Sequence, residues 1–597
     1  MFLTLINKRI VAAILLITLS VTGFMSCQKE FSNPGGSPID TPTTPPDLST
    51  KIASSVSGFV TDENEAAVEG AMVAYGNITT TTDKYGYFEV RNQQVVQQAA
   101  VVSIIKPGYF KAVKTYIATE GKSAFFRIKL LPKTEAGTID AAAGGKVAMS
   151  NGLSVTLPVS AVVNAATGAA YTGVVSVAAQ WLNPTATDLD RTMPGDLRGI
   201  NTDGALKLLE SYGMSAVELT GSNGELLQVA PSKKATVNFP LPASIAGTAP
   251  GSIPLWHFDE EKGLWKEEGS AVKSGNNYVG EVSHFSYWNC DIQLDQSIEF
   301  DATITDPNGN PLPYVFVSIS YDGGSYTGAH GSTDSLGYVK GRIPGNSQLV
   351  IEVFSGFQCN GPVYRQTITT GITNMSLGNI IIPLSATAQV TGSVVNCNNE
   401  IVTNVRVLLQ QGFYNYIAYI QSDGTFAFTP VCVNNIPVTI IAIDSNIQQS
   451  TPISVTLKEG ANVLDRISAC GIIVDEFINY TIDGQNISLV PPTEYVVQGS
   501  DSAGTTNLVY IIGGSNVHNI QFTFSNEGIA TGSKQDLNLY STNITGFSSN
   551  ITPVIKVNIT EWGAVGEFIA GNFSGTIKNQ ENKEYLVSCN FRVRRVQ

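Results

Sequence analysis

The chain has 597 residues, enough for about four domains of ordinary size. Its 35 Lys and Arg against 49 Asp and Glu give a net charge of −14, which argues against nucleic acid as a partner because nucleic acids bind a basic face. A charged fraction of 14% and an apolar fraction of 43% exclude bulk disorder, and four histidines leave little material for zinc or acid–base chemistry.

Residues 1–26 are predicted to be a signal sequence rather than a folded element. Lys8 and Arg9 precede an apolar run from Ile10 that is shorter than the ~20 residues needed to span a bilayer. The run leads to Ser26-Cys27, which resembles a bacterial lipoprotein signal. The resemblance implies that Cys27 is lipidated and anchors the chain in the outer membrane. The alternative is ordinary secretion with Cys27 left free.

Residues 27–52 are predicted to be a flexible tether. Prolines in this stretch stiffen and extend the chain without giving it a core. They are Pro34, Pro38, Pro42, Pro45 and Pro46. The Ser-Cys-Gln-Lys-Glu start at 26–30 resembles lipoproteins of Bacteroidetes-type bacteria, in which charged residues after the cysteine direct export. This resemblance implies a position facing the cell exterior.

One pattern occurs three times along the chain. Val60-Thr61-Asp62 is followed by apolar residues at fixed offsets, and the same offsets follow Ile304-Thr305-Asp306 and Val395-Asn396. Downstream, Asp83-Lys-Tyr-Gly86 matches Asp334-Ser-Leu-Gly337. Alternating apolar positions separated by Asp-Gly turns predict strands joined by tight turns.

The repeated pattern resembles the carboxypeptidase regulatory-like domain, a small β-sandwich of the transthyretin and immunoglobulin kind. The copies are predicted at 53–133, 295–385 and 387–470. The resemblance implies rigid accessory or spacer modules without protease activity. The carboxylates are predicted to make turns rather than bind calcium, because they recur singly without a dense acidic loop. These residues are Asp62, Asp83, Asp306 and Asp334.

Residues 134–291 interrupt the repeats and are predicted to form a β-rich domain. Their most specific motif is Trp256-His257-Phe258-Asp259 with Gly263-Leu264-Trp265 after it. The segment resembles the β-rich domain beside a regulatory-like module in cartilage intermediate layer protein. His257, Asp259 and Glu260 are the one local cluster of metal-ligand types. Alternation puts His257 opposite Phe258, so a surface histidine near a turn is expected and no metal site is predicted.

His284-Phe285-Ser286 is the segment whose chemistry needs most attention. It resembles the site at which certain eukaryotic β-domains and a nucleoporin family cut themselves, between Phe and Ser. The resemblance implies Ser286 as nucleophile and His284 as base, with backbone strain lowering the barrier. The alternative is simple packing of a last strand. We therefore predict no catalytic site and keep His284 and Ser286 as self-cleavage candidates.

Residues 471–597 are predicted to form a C-terminal β-domain. Alternation begins at Phe477, and an Asp483-Gly484 turn follows. The glycine-rich stretch 563–575 and the basic last strand resemble a C-terminal β-domain common in Bacteroidetes lipoproteins, which has no activity to carry over. Trp562 is expected in the core, with stacking on a sugar as the alternative.

Six cysteines remain once Cys27 is set aside, and in an exported chain they permit up to three disulfides. A pair within the third repeat is expected. The candidates are Cys290, Cys359, Cys397, Cys432, Cys470 and Cys589.

The sequence as a whole predicts an all-β protein of tandem β-sandwich domains behind a signal peptide and tether. The predicted function is a non-enzymatic scaffold or binding protein of the cell envelope, without cofactor. Its expected partners are the membrane, through the lipid, and an extracellular glycan or protein. One alternative is an adhesin that captures glycans through Tyr414, Tyr416 and Tyr419. The other is a domain that cleaves itself between Phe285 and Ser286.

Overall fold

The structure, a computed structural model, describes most of the chain beyond the tether. The described ranges are 45–322, 328–354, 361–383, 387–403, 405–412, 414–433, 437–443, 448–450, 452–469, 472–473, 476–482, 485–489, 495–500, 508–514, 519–525, 527–541, 554–563, 568–579 and 581–595. The predicted signal sequence and lipidation site Cys27 lie outside them. Strands dominate throughout, which confirms the predicted all-β class.

The first repeat forms two sheets around one core. Its strands are β1 (Lys51–Thr61), β2 (Met72–Tyr75), β3 (Ile78–Thr81), β4 (Tyr87–Val96), β5 (Ala100–Ile105), β6 (Ala112–Tyr116) and β7 (Ser123–Lys129). The sheet orders are β4-β1-β7 and β3-β2-β5-β6. The first and last strands run parallel, from the pair Ser55–Ser123 to the pair Thr61–Lys129. Alternation along β1 directs Val56 and Val60 into the core.

The middle domain is one large twisted sheet system with a single helical turn. Its elements are β8 (Glu135–Asp140), β9 (Gly145–Ala148), β10 (Ser154–Leu157), β11 (Val162–Asn164), β12 (Val174–Leu182), α1 (Leu189–Thr192), β13 (Arg198–Ile200), β14 (Leu206–Thr220), β15 (Leu226–Val229), β16 (Ala235–Pro240), β17 (Ser252–Asp259), β18 (Leu264–Ser274), β19 (Asn277–Val282) and β20 (Tyr287–Leu294). The central order is β11-β15-β14-β20-β17-β18-β19-β16-β10-β9. β20 therefore lies between β14 and β17 and is hydrogen-bonded on both edges.

The second and third repeats follow the plan of the first. Their strands are β21 (Ser297–Thr305), β22 (Phe316–Tyr321), β23 (Ala329–Ser332), β24 (Tyr338–Pro344), β25 (Gln348–Phe354), β26 (Tyr364–Thr369), β27 (Met375–Ile381), β28 (Thr387–Val395), β29 (Arg406–Gln411), β30 (Tyr414–Tyr419), β31 (Thr425–Cys432), β32 (Val438–Ile443), β33 (Gln448–Gln449), β34 (Ile453–Val455), β35 (Gly460–Val463), β36 (Ile467–Ser468) and β37 (Ile472–Ile473). The second repeat has orders β24-β21-β27 and β23-β22-β25-β26, the same as the first. The third pairs β31-β28-β35 and β30-β29-β32 in the equivalent places.

The C-terminal region is a further two-sheet structure. Its strands are β38 (Phe477–Ile482), β39 (Gln485–Leu489), β40 (Tyr495–Ser500), β41 (Leu508–Gly514), β42 (Asn519–Ser525), β43 (Lys534–Asp536), β44 (Asn538–Ser541), β45 (Lys556–Trp562), β46 (Phe568–Lys578) and β47 (Glu584–Arg594). The orders are β39-β38-β47-β46-β45-β43 and β40-β41-β42-β44. Phe522 and Phe591, from opposite sheets, meet in its core with ring centroids 5.2 Å apart. In the part of the chain that is described, no helix is long and apolar enough to cross a membrane.

The repeated aspartates make turns, as predicted. Asp83 Oδ1 accepts the backbone N–H groups of Tyr85 and Tyr87, both at 2.9 Å. Asp334 Oδ1 accepts the equivalent N–H groups two and four residues later, at 2.8 and 2.9 Å. Asp62 and Asp306 do the same in the preceding turn of each repeat. A carboxylate that accepts two N–H groups fixes the loop locally.

The repeats also pack on one another through the outer faces of their sheets. Phe59 and Phe125 of the first repeat join Leu408 and Ile417 of the third in one buried cluster. Between them lies Arg127, whose guanidinium carbon is 5.3 to 5.7 Å from four ring centroids. Those rings belong to Phe59, Phe125, Tyr414 and Tyr416. Arg127 also donates to the carbonyl oxygen of Asn415 at 2.9 Å.

The first repeat is joined to the middle domain by charges and by apolar side chains. Arg191 donates twice to the Glu65 carboxylate, both bonds being 2.7 Å. Lys129 of the first repeat contacts the Asp188 carboxylate of the middle domain at 3.0 Å. Phe110 of the first repeat shares a buried cluster with Trp256 of the middle domain. The first repeat therefore packs against both the third repeat and the middle domain.

The cysteines differ from the expectation at two positions. Cys290 and Cys589 are buried free thiols, and burial raises the pKa of both. Each is enclosed by the core of a different domain, so neither has a described thiol within disulfide reach. Cys397 is disulfide-bonded. Cys359, Cys470 and the side chain of Cys432 lie outside the described part.

Candidate functional site

The candidate site is the connection between β19 and β20, which contains His284 and Ser286. The hydrogen-bonded strands β17, β18 and β20 bring it against the sheet, where His257 is in register with Trp288. β15 lies across the same region and supplies Gln228. The strands supply His257, Glu268, Gln228 and Trp288, and they flank the connection that carries His284 and Ser286.

Four side chains form a continuous polar chain from Glu268 to Ser286, and Ser286 Oγ also donates to the carbonyl oxygen of Tyr287 at 3.2 Å. Ser286 Oγ lies 3.4 Å from His284 Nε2, and His284 Nδ1 lies 3.1 Å from Ser283 Oγ. Ser283 Oγ in turn donates to Glu268 Oε1 at 2.5 Å. Because the Ser283 hydroxyl donates its hydrogen to the Glu268 carboxylate, Ser283 Oγ can only accept a hydrogen bond from His284 Nδ1. These bonds assign the imidazole tautomer that has its Nε2 lone pair towards Ser286.

The side-chain amide of Gln228 bonds to both the backbone N–H and the carbonyl oxygen of Phe285. Gln228 Nε2 donates to the carbonyl oxygen of Phe285 at 2.9 Å. Gln228 Oε1 accepts from the N–H of Phe285 at 2.6 Å. A donor on that carbonyl oxygen would also stabilise negative charge developing there during attack by Ser286. The Phe285 side chain is buried in the middle-domain core.

A second histidine completes the site. The rings of His257 and His284 are 4.7 Å apart at 84°, and both lie against Trp288 at 5.5 and 5.2 Å. His257 Nε2 is 3.6 Å from Glu268 Oε2. Trp288 Nε1 donates to the carbonyl oxygen of His284 at 2.9 Å, which fixes the backbone of the connection.

Both imidazoles of the site have a lowered pKa. Burial lowers the pKa of His284. Burial, together with the neighbouring His284, lowers the pKa of His257 to about 4. A neutral imidazole is the form that accepts a proton from a serine hydroxyl. The site therefore brings together a serine hydroxyl, an imidazole bonded to a serine–carboxylate pair, and an amide donor on the Phe285 carbonyl oxygen.

Left-handed backbone strain lies elsewhere in the molecule. The described non-glycine residues with positive φ include Ser160 and Tyr314 but none from 283 to 287. The strain that the resemblance implied at this bond is therefore not of the left-handed kind.

The local group of metal-ligand residue types, His257, Asp259 and Glu260, does not converge. His257 turns to Glu268, whereas Glu260 pairs with Lys111 at 3.0 Å. Asp259 Oδ1 accepts the N–H groups of the following turn. Across the described residues, no three His, Cys, Asp or Glu side chains form a group able to hold a metal ion.

The aromatic residues proposed for sugar stacking face other parts of the protein. Tyr414 and Tyr416 lie over Arg127 of the first repeat, and the Tyr419 hydroxyl bonds to that of Tyr87 at 2.7 Å. Trp562 packs at the edge of the C-terminal core and is covered by Arg595, 4.4 Å from the ring centroid.

Sequence reasoning named His284 and Ser286 but missed Gln228, Ser283 and Glu268. Ser283 directly precedes His284-Phe285-Ser286 in the chain, so its nearness to the site could have been inferred from the sequence. Gln228 and Glu268 come from separate strands, and only the order of the sheet brings them to the connection.

Comparison with known proteins gives limited similarities. No protein-family model matches the chain. Over 115 residues it is 30% identical to cartilage intermediate layer protein 2 of Homo sapiens, covering 19% of this chain and 10% of that protein. The Mus musculus protein is 30% identical over 161 residues, covering 26% and 14%. The matches thus span a small part of these relatives, and they agree with the resemblance seen in the sequence.

Solved structures resemble the chain only weakly. The shaft pilin SpaA of Lactobacillus rhamnosus GG is 10% identical, covers 30% of this chain and 99% of its own, and has a TM-score of 0.17. A DUF3823 family protein of Bacteroides ovatus ATCC 8483 is 12% identical, with coverages of 35% and 100% and a TM-score of 0.12. Scores this low support no conclusion about function.

Proposed function

We propose that this chain is a non-enzymatic scaffold of the cell surface, anchored in the outer membrane by a lipid on Cys27. The observation that carries the scaffold proposal is the packing of the first and third repeats around Arg127. A charged side chain enclosed by aromatic rings holds two sandwiches in one relative orientation. A fixed arrangement of domains is suited to presenting a surface rather than to moving around a substrate.

Two features support export. The signal-like segment ends at Cys27, and Cys397 is disulfide-bonded. Disulfides persist in oxidising compartments and are rare in the cytosol.

Lipidation is tested by growing cells that express the chain with an alkyne-tagged fatty acid. The full-length protein is expected to be labelled, to fractionate with the outer membrane and to be degraded when intact cells are treated with protease. C27A should lose the label, whereas the matched control C290A, a buried thiol, should keep it. Equal labelling of C27A, or a wild-type protein without label, would contradict the anchor.

The rigid-scaffold part is tested by small-angle X-ray scattering of the purified full-length protein. R127A is expected to increase the radius of gyration, because the third repeat loses its central contact with the first. K578A, at an exposed position of the C-terminal domain, should leave the radius unchanged. An unchanged radius for R127A, with the protein still folded, would show that the interface does not fix the domains.

The polar chain at Ser286 favours a second candidate, which is self-cleavage. Ser286 Oγ would attack the Phe285 carbonyl carbon while His284 Nε2 takes the hydroxyl proton. The C–N bond breaks, the Ser286 nitrogen leaves as an amine with that proton, and an ester remains. Water then hydrolyses the ester to the Phe285 carboxylate and the Ser286 hydroxyl.

Denaturing electrophoresis with mass spectrometry tests this candidate. Cleavage would give a fragment that begins at Ser286, and S286A would remain intact. Q228A should slow the reaction, while the control Q180A, on β12, should not. The fragments should still co-elute under native conditions, because β20 pairs with both β14 and β17. A wild-type chain that stays intact after prolonged incubation removes this candidate and leaves the scaffold proposal standing.

A further inference from the structure

A cavity of about 140 Å³ lies where the first repeat, the middle domain and the second repeat meet. Residues 115–126, 193–198 and 328–342 contribute to its walls, together with Leu208. Since one water molecule needs only about 10–15 Å³ of such space, the cavity has room for a compact ligand. Apolar side chains such as Phe126 and Val339 form part of its wall.

The charged side chains around this cavity are mostly basic, although the chain as a whole is acidic. Lys122, Arg198, Lys340 and Arg342 line it, against a single carboxylate, Asp196. A cationic lining in a protein of net charge −14 is a local feature that overall composition does not explain. Partly enclosed cations attract small anions strongly, because low-dielectric walls weaken solvent screening.

Arg198 is the most enclosed of these cations, with 2% of its surface exposed. Its Nε donates to Asp196 Oδ2 at 2.7 Å and its Nη1 to the carbonyl oxygen of Gln98 at 2.6 Å. Its Nη2 has no hydrogen-bond partner among the described residues. A buried guanidinium donor without a partner is costly, and an oxygen ligand would remove that cost.

Arg342 is the second cation of the site. Its Nε and Nη2 donate to Ser297 Oγ at 2.7 Å and to the Ser297 carbonyl oxygen at 3.2 Å. Within the described ranges it forms no ion pair with a carboxylate at 4.0 Å or less. Burial lowers the pKa of Arg342. The Glu299 carboxylate opposes this lowering most, Arg198 adds to it by repulsion, and Asp196 opposes it more weakly. Glu299 also pairs with Lys340 at 3.0 Å. The four cations that line the cavity therefore still outnumber the two nearby carboxylates, Asp196 and Glu299.

We propose that this cavity binds a small oxyanion, a carboxylate or phosphate group, between Arg198 and Arg342. Planar guanidinium groups bind both anions through paired N–H donors. The bound anion would link the middle domain, which supplies Arg198, to the second repeat, which supplies Arg342. This site is independent of the proposed self-cleavage and goes beyond the scaffold function, because it gives the scaffold a ligand.

Isothermal titration calorimetry of the purified full-length protein tests the proposal with two probes, inorganic phosphate and acetate, each at constant ionic strength. At least one probe should bind saturably with one site per chain. R342Q should weaken that binding at least tenfold, and K122Q should weaken it less, because an ammonium group is a point charge that cannot bind an oxyanion through a planar pair of donors. The matched control R365Q changes a cation of the same repeat that is 54% exposed and pairs with Asp322, and it should bind as the wild type does.

The outcomes separate the ligand classes. Saturable binding of phosphate alone identifies a phosphate-type ligand, and of acetate alone an organic acid. Binding of neither probe, or equal affinity in folded R342Q and wild type, would overturn the proposal. If R342Q does not fold, the affinity of K122Q is compared with that of the control R365Q. Equal affinities of these two variants would count against the site.

Discussion

The hydroxyl groups of Tyr87 and Tyr419 lie 2.7 Å apart, although the two residues are separated by 332 positions in the chain. Tyr87 belongs to the first repeat and Tyr419 to the third. Arg406 of the third repeat reaches Asp83 beside them at 3.2 Å. Tyr87 belongs to the same buried cluster as Phe59 and Leu408, so the interface combines apolar packing with a buried hydrogen bond and an ion pair.

A double-mutant cycle measures the bond between the two tyrosines. Y87F and Y419F each leave one hydroxyl without its partner and should destabilise by about 1–3 kcal/mol. The double variant should cost less than the sum, with a coupling energy of about 0.5–1.5 kcal/mol in chemical denaturation. Y87F combined with Y585F, in the distant C-terminal domain, should be additive. Additivity of Y87F with Y419F would mean that the bond does not form.

Two glycines of the second repeat separate conformational strain from steric collision. Gly337 and Gly309 both have positive φ, +72° and +85°. A Cβ at Gly337 would collide with the carbonyl oxygen of Ile304, whereas a Cβ at Gly309 meets open space. We expect G309A to cost about 1 kcal/mol and G337A roughly 1–3 kcal/mol more. Equal losses in thermal or chemical unfolding would show that the turn relaxes around the methyl group.

Lys114 should make stability rise with pH. Burial lowers its pKa from 10.5 to about 8, and its Nζ donates to the carbonyl oxygens of Asp190 and Met193 at 2.7 and 2.6 Å. Between these pKa values the unfolded chain binds more protons than the folded one, so raising the pH favours folding. From pH 7 to 9 the free energy of unfolding should increase by about 1 kcal/mol relative to K114M. A pH slope that is the same in both proteins would refute this assignment.

His257 should make the free energy of unfolding fall as the pH drops below neutral. Its pKa is lowered from 6.5 to about 4 by burial and by His284, so the unfolded chain takes up a proton first as the pH falls. The stabilisation that comes from keeping His257 unprotonated is fully present above pH 6.5 and is lost as the pH falls towards 4. After allowance for its partial exposure, the loss from pH 7 to 5 should be about 1 kcal/mol relative to H257F. H330F, which changes a histidine of the second repeat, serves as the control.

The strands and turns of the repeats could be predicted because their causes are local. The apolar residues recur at the same offsets after Asp62 and Asp306, and the two repeats have the same strand order in their sheets. Each of these aspartates accepts hydrogen bonds from the N–H groups two and four residues later. The predicted domain boundaries remain a proposal. Packing between repeats could not be foreseen, because an apolar outer residue such as Leu408 does not indicate what covers it.

The candidate site was predictable only in part for the same reason. His284 and Ser286 are neighbours in sequence, so their association needed no knowledge of the fold. Gln228 reaches Phe285 because β15 and β20 both pair with β14, an arrangement that no local pattern encodes. One alternative function had the tyrosines of β30 binding glycans, and in the structure Tyr414 and Tyr416 pack around Arg127.

In the first repeat the parallel pairing of β1 and β7 determines how the module would respond to mechanical load. Tension between its two ends would shear all backbone bonds from Ser55–Ser123 to Thr61–Lys129 together, rather than open them one after another. The second repeat has the same parallel pair in β21 and β27. Modules connected in this way resist being pulled apart at their ends.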